Sequence, residues 1–389
     1  MINFEYYMPT KIIFGKDTPA EVGQHVKEYG GHKCLVHYGG TYLKETGLLD
    51  KIEKSLTDSG IEYVEYDGVI PNPRLSTVYH GKELCEQNGV DFILAIGGGS
   101  AIDSSKAIAA ACAFDGDIWD AFLGKEKITK ALPMGVILTI PASGSESSKA
   151  CVITKEEGLQ KRMAVSFAML PKFAILDPST TYTLPAYQTA AGCCDIMSHL
   201  MERYFTQTPN VEFSDRMLEA GMITILNNAP RVLKDPCDYD ARAEIMWTGN
   251  IAHNDLLNKG RVDDWASHNI EHELSALYDI THGAGLSIVT PAWMRHVYKS
   301  NKKRFVQFAQ NVMGVNLPAE HEDEICLKGI EVLENTWKSW GMPIHLSDAG
   351  ITENRYEEMA LRALDGNETT GNFVKLTKED IIAIFELAK

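Results

Sequence analysis

The sequence lacks the features by which membrane, secreted and nucleic-acid-binding proteins are recognised. It has no uncharged apolar run long enough to span a bilayer. Its first seven residues contain neither the basic region nor the apolar core of a signal peptide, so we expect a cytoplasmic location. Basic residues are the scarcer charge: 37 Lys and Arg stand against 53 Asp and Glu, giving a formal net charge of −16. Because no basic cluster is present, we expect neither nucleic acid nor a membrane as a partner.

The cysteines do not have the spacing of a disulfide framework, and the sequence contains no internal repeats and no low-complexity tract. The eight cysteines are scattered, mostly within apolar stretches, which favours buried thiols in a reducing compartment over disulfide bonds. We interpret Cys193 and Cys194 as packing residues because adjacent cysteines are strained when they share one ion. With 389 residues, 44% of them hydrophobic, the chain is long enough for two or three globular domains.

The two halves of the chain differ in hydrophobic pattern. Apolar strands alternate with amphipathic helices in the first half, which predicts an α/β domain with a mostly parallel sheet covered on both faces. The predicted strands are residues 11–15, 34–38, 63–66, 92–96, 135–140 and 173–176. Residues 158–167 fit either a hairpin or a loop. After a turn-rich stretch at 177–185, long helical patterns predict an all-helical domain, and the predicted domains are 1–182 and 183–389.

The helical patterns are long enough to be placed individually. In the first half they lie at residues 19–29, 46–59 and 76–88. In the second half they lie at residues 186–206, 211–233, 239–258, 265–277, 282–298, 302–313, 320–340, 353–363 and 378–388. The last begins with a capping-box pattern at Thr377 and Asp380.

A glycine triplet, Gly97-Gly98-Gly99, follows an apolar strand and opens a helix that contains Ser100 and Asp103. Glycines let main-chain N–H groups approach phosphate oxygens, and a helix start adds free amides and a positive dipole end. The third glycine of the Rossmann fingerprint is missing, and Lys106 lies too far inside the helix for a Walker loop. A second loop after a strand, with Thr139, Ser143 and Ser145, suits a ligand lying across the sheet, although it also fits an ordinary capped turn.

Asp195 and His199 are four residues apart in a predicted helix, as are His268 and His272, and His282 follows on the next element. Residues at this spacing project from the same helix face and can bind one ion together. Four of these five groups would supply three neutral imidazoles and one carboxylate. Such a set suits Zn²⁺ or Fe²⁺ and leaves the ion with residual positive charge.

The motifs together resemble the iron-containing (group III) alcohol dehydrogenases, in particular their butanol dehydrogenase-like branch, over essentially the whole chain. The resemblance rests on Pro9-Thr-Lys-Ile-Ile-Phe-Gly15, Val69-Ile-Pro-Asn-Pro73, Gly97-Gly-Gly-Ser100 with Asp103, Gly116-Asp-Ile-Trp-Asp-Ala-Phe122, Thr183-Leu-Pro185, Trp265-Ala-Ser-His268, Glu271-His-Glu-Leu-Ser-Ala-Leu-Tyr278 and His282-Gly-Ala-Gly285. It implies a dehydroquinate synthase-like architecture with a dinucleotide-binding domain, a helical metal domain and a cleft between them. It also implies a homodimer.

The resemblance further implies the site residues. The metal ligands are Asp195, His199, His268 and His282, and His272 takes part in a proton path near the substrate. The implied cofactor residues are Gly39, Gly40, Thr41, Asn72, Gly97, Gly98, Gly99, Ser100, Asp103, Thr139, Ser143, Ser145 and Lys161. Family members that prefer NAD carry an Asp where Gly39, Gly40 and Thr41 stand. No carboxylate remains to repel a 2′-phosphate, and Lys44 is nearby, so we favour NADP(H) over NAD(H).

The resemblance implies an Fe²⁺- or Zn²⁺-dependent enzyme that interconverts small primary alcohols and aldehydes by hydride transfer. A glycerol- or polyol-dehydrogenase of the same superfamily is the nearest alternative. A dehydroquinate-synthase-like lyase fits the ligand set less well, and a nucleotide sensor would require an empty metal site. A more distant alternative is a zinc peptidase, since residues 268–272 fit its H-x-x-E-H signature, in which the Glu activates water.

Overall fold

The computed structural model describes residues 1–318 and 320–389. The chain forms two compact units. The sheet unit comprises Tyr7–Leu184 and Pro236–Asn254, and the helical unit comprises Met1–Tyr6, Pro185–Asp235 and Asp255–Lys389. Among the described residues, no helix is both long enough and apolar enough to cross a membrane. The division into folding domains at residue 182 stays a prediction.

The sheet unit contains eight strands. They are β1 (Lys11–Phe14), β2 (Lys33–Tyr38), β3 (Glu62–Asp67), β4 (Phe92–Gly97), β5 (Met134–Leu138), β6 (Ala150–Lys155), β7 (Gln160–Val165) and β8 (Phe173–Leu176). Six of them form one sheet in the order β1-β8-β5-β4-β2-β3, and every neighbouring pair is parallel. The predicted fold class is confirmed, and so are the six predicted strands, with ends shifted by one or two residues.

Helices cover both faces of this sheet. They are α1 (Val22–Glu28), α2 (Tyr42–Glu45), α3 (Leu48–Asp58), α4 (Leu75–Asn88), α5 (Gly99–Ala111) and α6 (Trp119–Phe122). All six residues of β4 are buried, and they alternate between two hydrophobic cores: Ile93 and Ala95 face one, whereas Phe92, Leu94 and Ile96 face the other. A strand buried on both faces explains the continuous apolar run by which the sequence identified it.

Residues 158–167, left open by the sequence, belong to an antiparallel hairpin of β6 and β7. The sequence analysis missed β6. Its residues alternate between buried and half-buried positions and follow a polar loop, so the apolar signal was too short to mark a strand. The turn between the strands uses a left-handed backbone at Gly158 and Leu159, with φ of 78° and 48°.

The strand order places a crevice between β2 and β4. From β2 the chain moves outward to β3, whereas from β4 it moves in the opposite direction to β5. Tyr38 at the end of β2 lies opposite Ile96, and Gly97 at the end of β4 lies opposite Leu138. The loops that follow these three strands therefore start at the same sheet edge, which is where open α/β sheets bind ligands.

The remaining helices are α7 (Ala186–Tyr204), α8 (Glu212–Lys234), α9 (Tyr239–Ala252), α10 (Ala266–Tyr278), α11 (His282–Val297), α12 (Lys302–Asn311), α13 (Glu322–Ser339), α14 (Tyr356–Leu364) and α15 (Lys378–Leu387). All nine predicted helices of the second half are present. The helical pattern at 239–258 ends early, at Ala252, and Asp255 just beyond it has a left-handed φ of 64° that a helix cannot accommodate. The capping box of Thr377 and Asp380 is confirmed.

The packing of two helices, α9 and α11, does not follow from their own sequences. Helix α9 packs within the sheet unit, although its neighbours in sequence belong to the helical unit. Helix α11 is buried along most of its length and contacts α7, α10, α13 and α15.

The eight cysteines are all free thiols.

Candidate coenzyme and metal sites

The glycine triplet forms a tight turn between β4 and α5. Gly97 has a φ of 152°, which L-residues rarely adopt, and α5 begins at Gly99. A Cβ on Gly98 would lie 2.7 Å from the Cβ of Ile140, and one on Gly99 would lie 2.7 Å from Ser143 Oγ. Only glycine fits both positions without displacing the loop that follows β5. The free amides of the first turn of α5, including that of Ser100, remain suited to an anion.

Hydrogen bonds join the loops at this sheet edge. The Thr139 amide donates to the Gly97 carbonyl at 3.0 Å, and the Thr139 hydroxyl shares a hydrogen bond of 2.7 Å with the phenol of Tyr42. Tyr42 begins α2, just after the turn of Gly39, Gly40 and Thr41. The sequence analysis missed Tyr42, because nothing near it in sequence indicates contact with a residue almost a hundred positions away.

Asp103 and Lys106 of α5 hold the loop after β5 in place. Asp103 accepts hydrogen bonds from Ser145 Oγ at 2.5 Å and from the Val152 amide at 2.9 Å. Burial raises the pKa of Asp103, although the nearby Lys106 ammonium opposes this shift. Lys106 donates to Ser145 Oγ and to the carbonyls of Ser148 and Ala150. Lys106 thus has a structural role that its position in the motif did not suggest.

Helix α9 supports the same loop from the other side. Asn250 donates to Glu146 Oε1 at 3.0 Å and to Ser147 Oγ at 2.8 Å, and His253 Nδ1 lies 2.7 Å from the Ser143 carbonyl. Burial raises the pKa of the Glu146 carboxyl, and the hydrogen bond from Asn250 works against this shift. The packing of α9 within the sheet unit therefore bears directly on the predicted cofactor loop.

Asn72 and Lys161, which are 89 residues apart in sequence, lie together. Lys161 Nζ of β7 donates to Asn72 Oδ1 at 3.2 Å, and both side chains are buried. Asn72 has a left-handed φ of 52°, which Asn tolerates better than most residues. Strand β7, in the segment that the sequence left open between a hairpin and a loop, thus carries one of the predicted cofactor residues to its partner.

The turn after β2 leaves little room for a side chain. A Cβ on Gly39 would lie 2.4 Å from the Val69 carbonyl oxygen, and Gly40 has a φ of 84°. Thr41 is exposed and immediately precedes α2. Lys44 lies in that helix and forms an ion pair of 3.9 Å with Glu65, but its side chain remains 59% exposed.

In the helical unit, the predicted metal ligands converge on one carboxylate oxygen. Asp195 and His199 lie on α7, His268 lies on α10, and His282 begins α11. From Asp195 Oδ1 the distances are 3.4 Å to His199 Nδ1, 3.7 Å to His268 Nε2 and 3.8 Å to His282 Nε2. The ligating atoms of Asp195, His268 and His282 all lie within 4.8 Å of one another, which one ion could bridge.

The chemistry of this cluster fits a divalent metal ion. Within the described part of the chain, Asp195 Oδ1 and His268 Nε2 are buried and receive no hydrogen bond. Buried polar atoms of this kind are rare because each costs free energy, so their pairing indicates a missing common partner. Burial lowers the pKa of His268, but Asp195 and Glu202 outweigh it and raise the pKa to about 9. The cluster is thus rich in negative charge.

Two buried glutamates contact the histidines of this cluster, and the sequence analysis missed both. Glu202 Oε1 accepts a hydrogen bond from His268 Nδ1 at 2.9 Å. Glu271 accepts from His282 Nδ1 and from the Ser275 hydroxyl. The repeated spacing H-x-x-E, at residues 199–202 and 268–271, is a signal that could have indicated them.

His272 lies beside the cluster. Its ring centroid is 5.6 Å from that of His282, and its side chain is half-buried. Glu271, by contrast, is fully buried, and each of its oxygens accepts a hydrogen bond. A peptidase of the H-x-x-E-H type requires this Glu to activate a water molecule, so the geometry disfavours that alternative.

Comparison with known proteins gives consistent matches over both halves of the chain. Residues 9–178 match the family described as iron-containing alcohol dehydrogenase, and residues 189–389 match the C-terminal region of the Fe-containing alcohol dehydrogenase family. The probable NADH-dependent butanol dehydrogenase 1 of Bacillus subtilis is 42% identical over 386 residues, 99% of each sequence. The NADPH-dependent aldehyde reductase YqhD of Escherichia coli is 36% identical over 354 residues, 90% of each.

The fold is similar to solved structures as well. The crystal structure of NADH-dependent butanol dehydrogenase A from Thermotoga maritima superimposes with a TM-score of 0.96 at 42% identity, over 99% of this chain and 98% of the other. Sequence and fold therefore agree over nearly the full length of each relative.

Proposed function

Because this chain belongs to the iron-containing alcohol dehydrogenase family, we propose that it interconverts small primary alcohols and aldehydes with a nicotinamide coenzyme and a divalent metal ion. The observation that carries the proposal is the convergence of His268 Nε2 and His282 Nε2 on the buried Asp195 Oδ1. The resemblance stated from the sequence is confirmed at the level of the family.

The proposed ligands are Asp195, His199, His268 and His282. A divalent ion bound there would supply a Lewis acid that lowers the pKa of an alcohol and polarises a carbonyl group. Asp195 would contribute the one negative charge of this set, and the three histidines would bind the ion as neutral imidazoles. Fe²⁺ and Zn²⁺ both suit these ligands, and the family name favours iron.

His272 is the residue we propose for proton transfer. Its ring lies beside His282 but is half-exposed, so it can exchange protons with water while His282 binds the metal. Imidazole is the side chain that most often gives and takes protons in catalysis near neutral pH. In the direction of aldehyde reduction, His272 would return the proton to the product oxygen.

The sheet unit would bind the coenzyme. The amides of Gly98, Gly99 and Ser100 would donate hydrogen bonds to the pyrophosphate, as amides do in other strand-turn-helix sites. The Lys161 and Asn72 pair would hold the ribose beside the nicotinamide ring, and the loop of Thr139 would lie along the coenzyme. The coenzyme accepts or donates the hydride; the protein positions it.

Metal quantification coupled to an activity assay tests the proposal. Protein loaded with Fe²⁺ or Zn²⁺ under anaerobic conditions should oxidise NADPH in the presence of short aldehydes. Oxidation of a panel of alcohols that includes glycerol and diols, measured in the reverse direction, tests the polyol alternative. Asp195→Asn and His268→Ala should lose most of the bound metal and the activity. His296→Ala is a matched control, because His296 lies on α11 and contacts Asp380 instead. Full metal content and activity in either ligand variant would contradict the site.

For the coenzyme, we propose a preference for NADP(H). The relatives differ in name, NADH-dependent for the butanol dehydrogenases and NADPH-dependent for the aldehyde reductase, so the choice depends on this chain's own turn after β2. The Val69 carbonyl leaves no room for a side chain at position 39, in the Gly39-Gly40-Thr41 turn that lacks the carboxylate expected of an NAD-preferring member. The Thr41 hydroxyl and the Lys44 ammonium supply a donor and a positive charge for a 2′-phosphate.

A carboxylate placed at the exposed Thr41 tests this preference. Thr41→Asp should lower kcat/KM for NADPH by about tenfold relative to NADH, since like charges repel at close range. Thr41→Ser keeps the hydroxyl and should change neither value. The preference would be contradicted if the unmodified protein used NADH better, or if Thr41→Asp affected the two coenzymes equally.

The homodimer and the cytoplasmic location also stay proposals. Exposed apolar side chains in the sheet unit support a dimer: Tyr7 and Phe167 are in ring contact, and Met163 and Val165 share the exposed side of β7. Light scattering on the purified protein should give twice the chain mass of 43.1 kDa. The free thiols are consistent with a reducing compartment.

A further inference from the structure

Two buried glutamates lie next to the predicted metal ligands, and neither has a direct role in the proposed reaction. Glu202 is on α7 and Glu271 is on α10, and both are at most 4% exposed. Each follows a predicted ligand by three residues, Glu202 after His199 and Glu271 after His268. Each nevertheless contacts a predicted ligand on a different helix: Glu202 contacts His268, and Glu271 contacts His282.

Glu202 holds both the ring and the main chain of α10. Its Oε1 accepts from His268 Nδ1 at 2.9 Å and from the His268 amide at 3.0 Å, and its Oε2 accepts from the Trp265 amide at 2.7 Å. Trp265 has a φ of 71°, which bulky residues avoid. A carboxylate at a helix N-terminus is favourable, and here it also stabilises the strained residue before the helix.

Glu271 is enclosed between α10 and α11. It accepts from His282 Nδ1 and from the Ser275 hydroxyl. Gly285 on α11 leaves space for it, since a Cβ there would lie 2.4 Å from Glu271 Oε1. The second glycine of the motif His282-Gly-Ala-Gly285 is therefore explained by the carboxylate it accommodates.

We propose that Glu202 and Glu271 are positioning residues that fix His268 and His282 as the tautomer protonated on Nδ1. This directs the Nε2 atoms of both rings to Asp195 Oδ1, at 3.7 and 3.8 Å. The inference rests on the proposed metal site. In this arrangement, a glutamate of α7 orients a ligand of α10, and a glutamate of α10 orients a ligand of α11.

The physical effect is on metal affinity. A histidine whose Nδ1–H donates to a carboxylate binds a metal more strongly through Nε2, because its orientation is fixed and its basicity is raised. Loss of such a partner lowers metal affinity by about 10- to 100-fold in other proteins. The two glutamates therefore determine how tightly the ion is held, although neither is its ligand.

Zn²⁺ alone is the probe, with its dissociation constant measured by competition with a chelator. Glu202→Gln and Glu271→Gln each place an amide NH₂ where an oxygen accepted a hydrogen bond, and each should raise the dissociation constant about 10- to 100-fold. Glu273→Gln is the matched control: Glu273 is equally buried on α10 but binds Arg362 of α14 at 2.6 Å. It should bind Zn²⁺ within about twofold of the unmodified protein, as expected for a group outside the cluster.

The tautomers provide a readout that a purely structural role would not change. In ¹⁵N-histidine-labelled, Zn²⁺-loaded protein, two metal-bound rings should show a proton on Nδ1. That signal should be altered for His268 in Glu202→Gln and for His282 in Glu271→Gln. If Glu202→Gln fails to fold because it also caps α10, Gly285→Ala still tests the relationship, since it displaces the Glu271 carboxylate without removing a polar atom.

The outcomes separate the two proposals. Zn²⁺ affinity and tautomer signals unchanged in Glu271→Gln and Gly285→Ala would overturn the positioning role and leave the metal site intact. Weaker binding in these variants and in Glu273→Gln alike would also overturn it, since the effect would then be general destabilisation. An unmodified protein that binds no Zn²⁺, or an Asp195→Asn variant that binds it equally well, would overturn the proposed site and this inference together.

Discussion

Lys106 offers the sharpest test of how the sheet unit holds the loop after β5, which we propose to bind the coenzyme. Its side chain is fully buried, and three oxygens surround Nζ: Ser145 Oγ at 2.8 Å and the carbonyls of Ser148 and Ala150 at 2.7 and 2.8 Å. Three acceptors match the three N–H donors of an ammonium group. Burial lowers the pKa of Lys106, but the Asp103 carboxylate acts against this shift and favours the charged form.

We predict that Lys106→Met lowers the free energy of unfolding by about 3 to 5 kcal/mol. Methionine fills most of the space, so the loss comes from polar groups rather than from a cavity. The variant leaves two main-chain carbonyls without a donor and leaves Asp103 without a cation that favours its charged form. An unsatisfied buried group costs about 1 to 3 kcal/mol, so two carbonyls and one carboxylate account for a value in this range.

Chemical denaturation of the metal-loaded protein measures this change, and coenzyme titration measures its functional effect. The coenzyme should bind more weakly because the loop of Ser145 loses its anchor, whereas metal content should stay the same because the proposed ligands belong to the helical unit. Lys54→Met is the control: Lys54 pairs with Asp58 at the surface and should change stability by less than about 1 kcal/mol. A loss below about 1 kcal/mol for Lys106→Met, with unchanged coenzyme binding, would refute the reasoning.

Two further predictions concern the same unit. His37 is buried between the Tyr66 carbonyl and Ser104 Oγ, and burial lowers its pKa from 6.5 to about 4. The unfolded chain therefore takes up a proton between pH 6.5 and 4 that the folded chain does not, so stability present above pH 6.5 should fall by about 3 kcal/mol as the pH decreases to 4. Denaturation at stepped pH should show this slope, and a His37→Gln variant with the same slope would contradict the assignment. Gly98→Ala places a methyl group 2.7 Å from the Cβ of Ile140 and should weaken coenzyme binding about tenfold in a fluorescence titration, because the loop must move. Unchanged binding would show that the close packing of Gly98 is not required.

The sequence predicted those strands and helices that carry a recognisable pattern within their own residues. Strand β4 is buried on both faces, so its apolar run is continuous, and α15 carries its own capping box. Strand β6 was not predicted because it forms a two-stranded sheet with β7, and its three buried positions include only two apolar residues, Cys151 and Ile153. The packing of α9 within the sheet unit was not predicted for a related reason. Helical periodicity indicates that one face is buried, but it does not indicate which unit packs against that face.

The same distinction applies to the candidate sites. Asp195 and His199 were found because their spacing places both on one helix face, and the glycine triplet was found because strand, turn and helix follow each other directly. Tyr42 and His253 were not found, since they reach the coenzyme loop through contacts across about one hundred residues. The sequence predicts candidate ligand-binding groups more easily than the groups that contact and position them.

The repeated H-x-x-E spacing shows why a motif needs its tertiary partners before it indicates a reaction. At residues 268–272 the pattern also fits a zinc peptidase, in which both histidines bind one ion and the Glu activates water. In the folded chain, the oxygens of Glu271 accept from His282 and Ser275, and His282 lies on a different helix. A carboxylate whose hydrogen bonds orient a ligand is not available as a base for water. The same three-residue spacing is therefore consistent with the proposed metal site, because Glu202 and Glu271 each contact a histidine on a different helix.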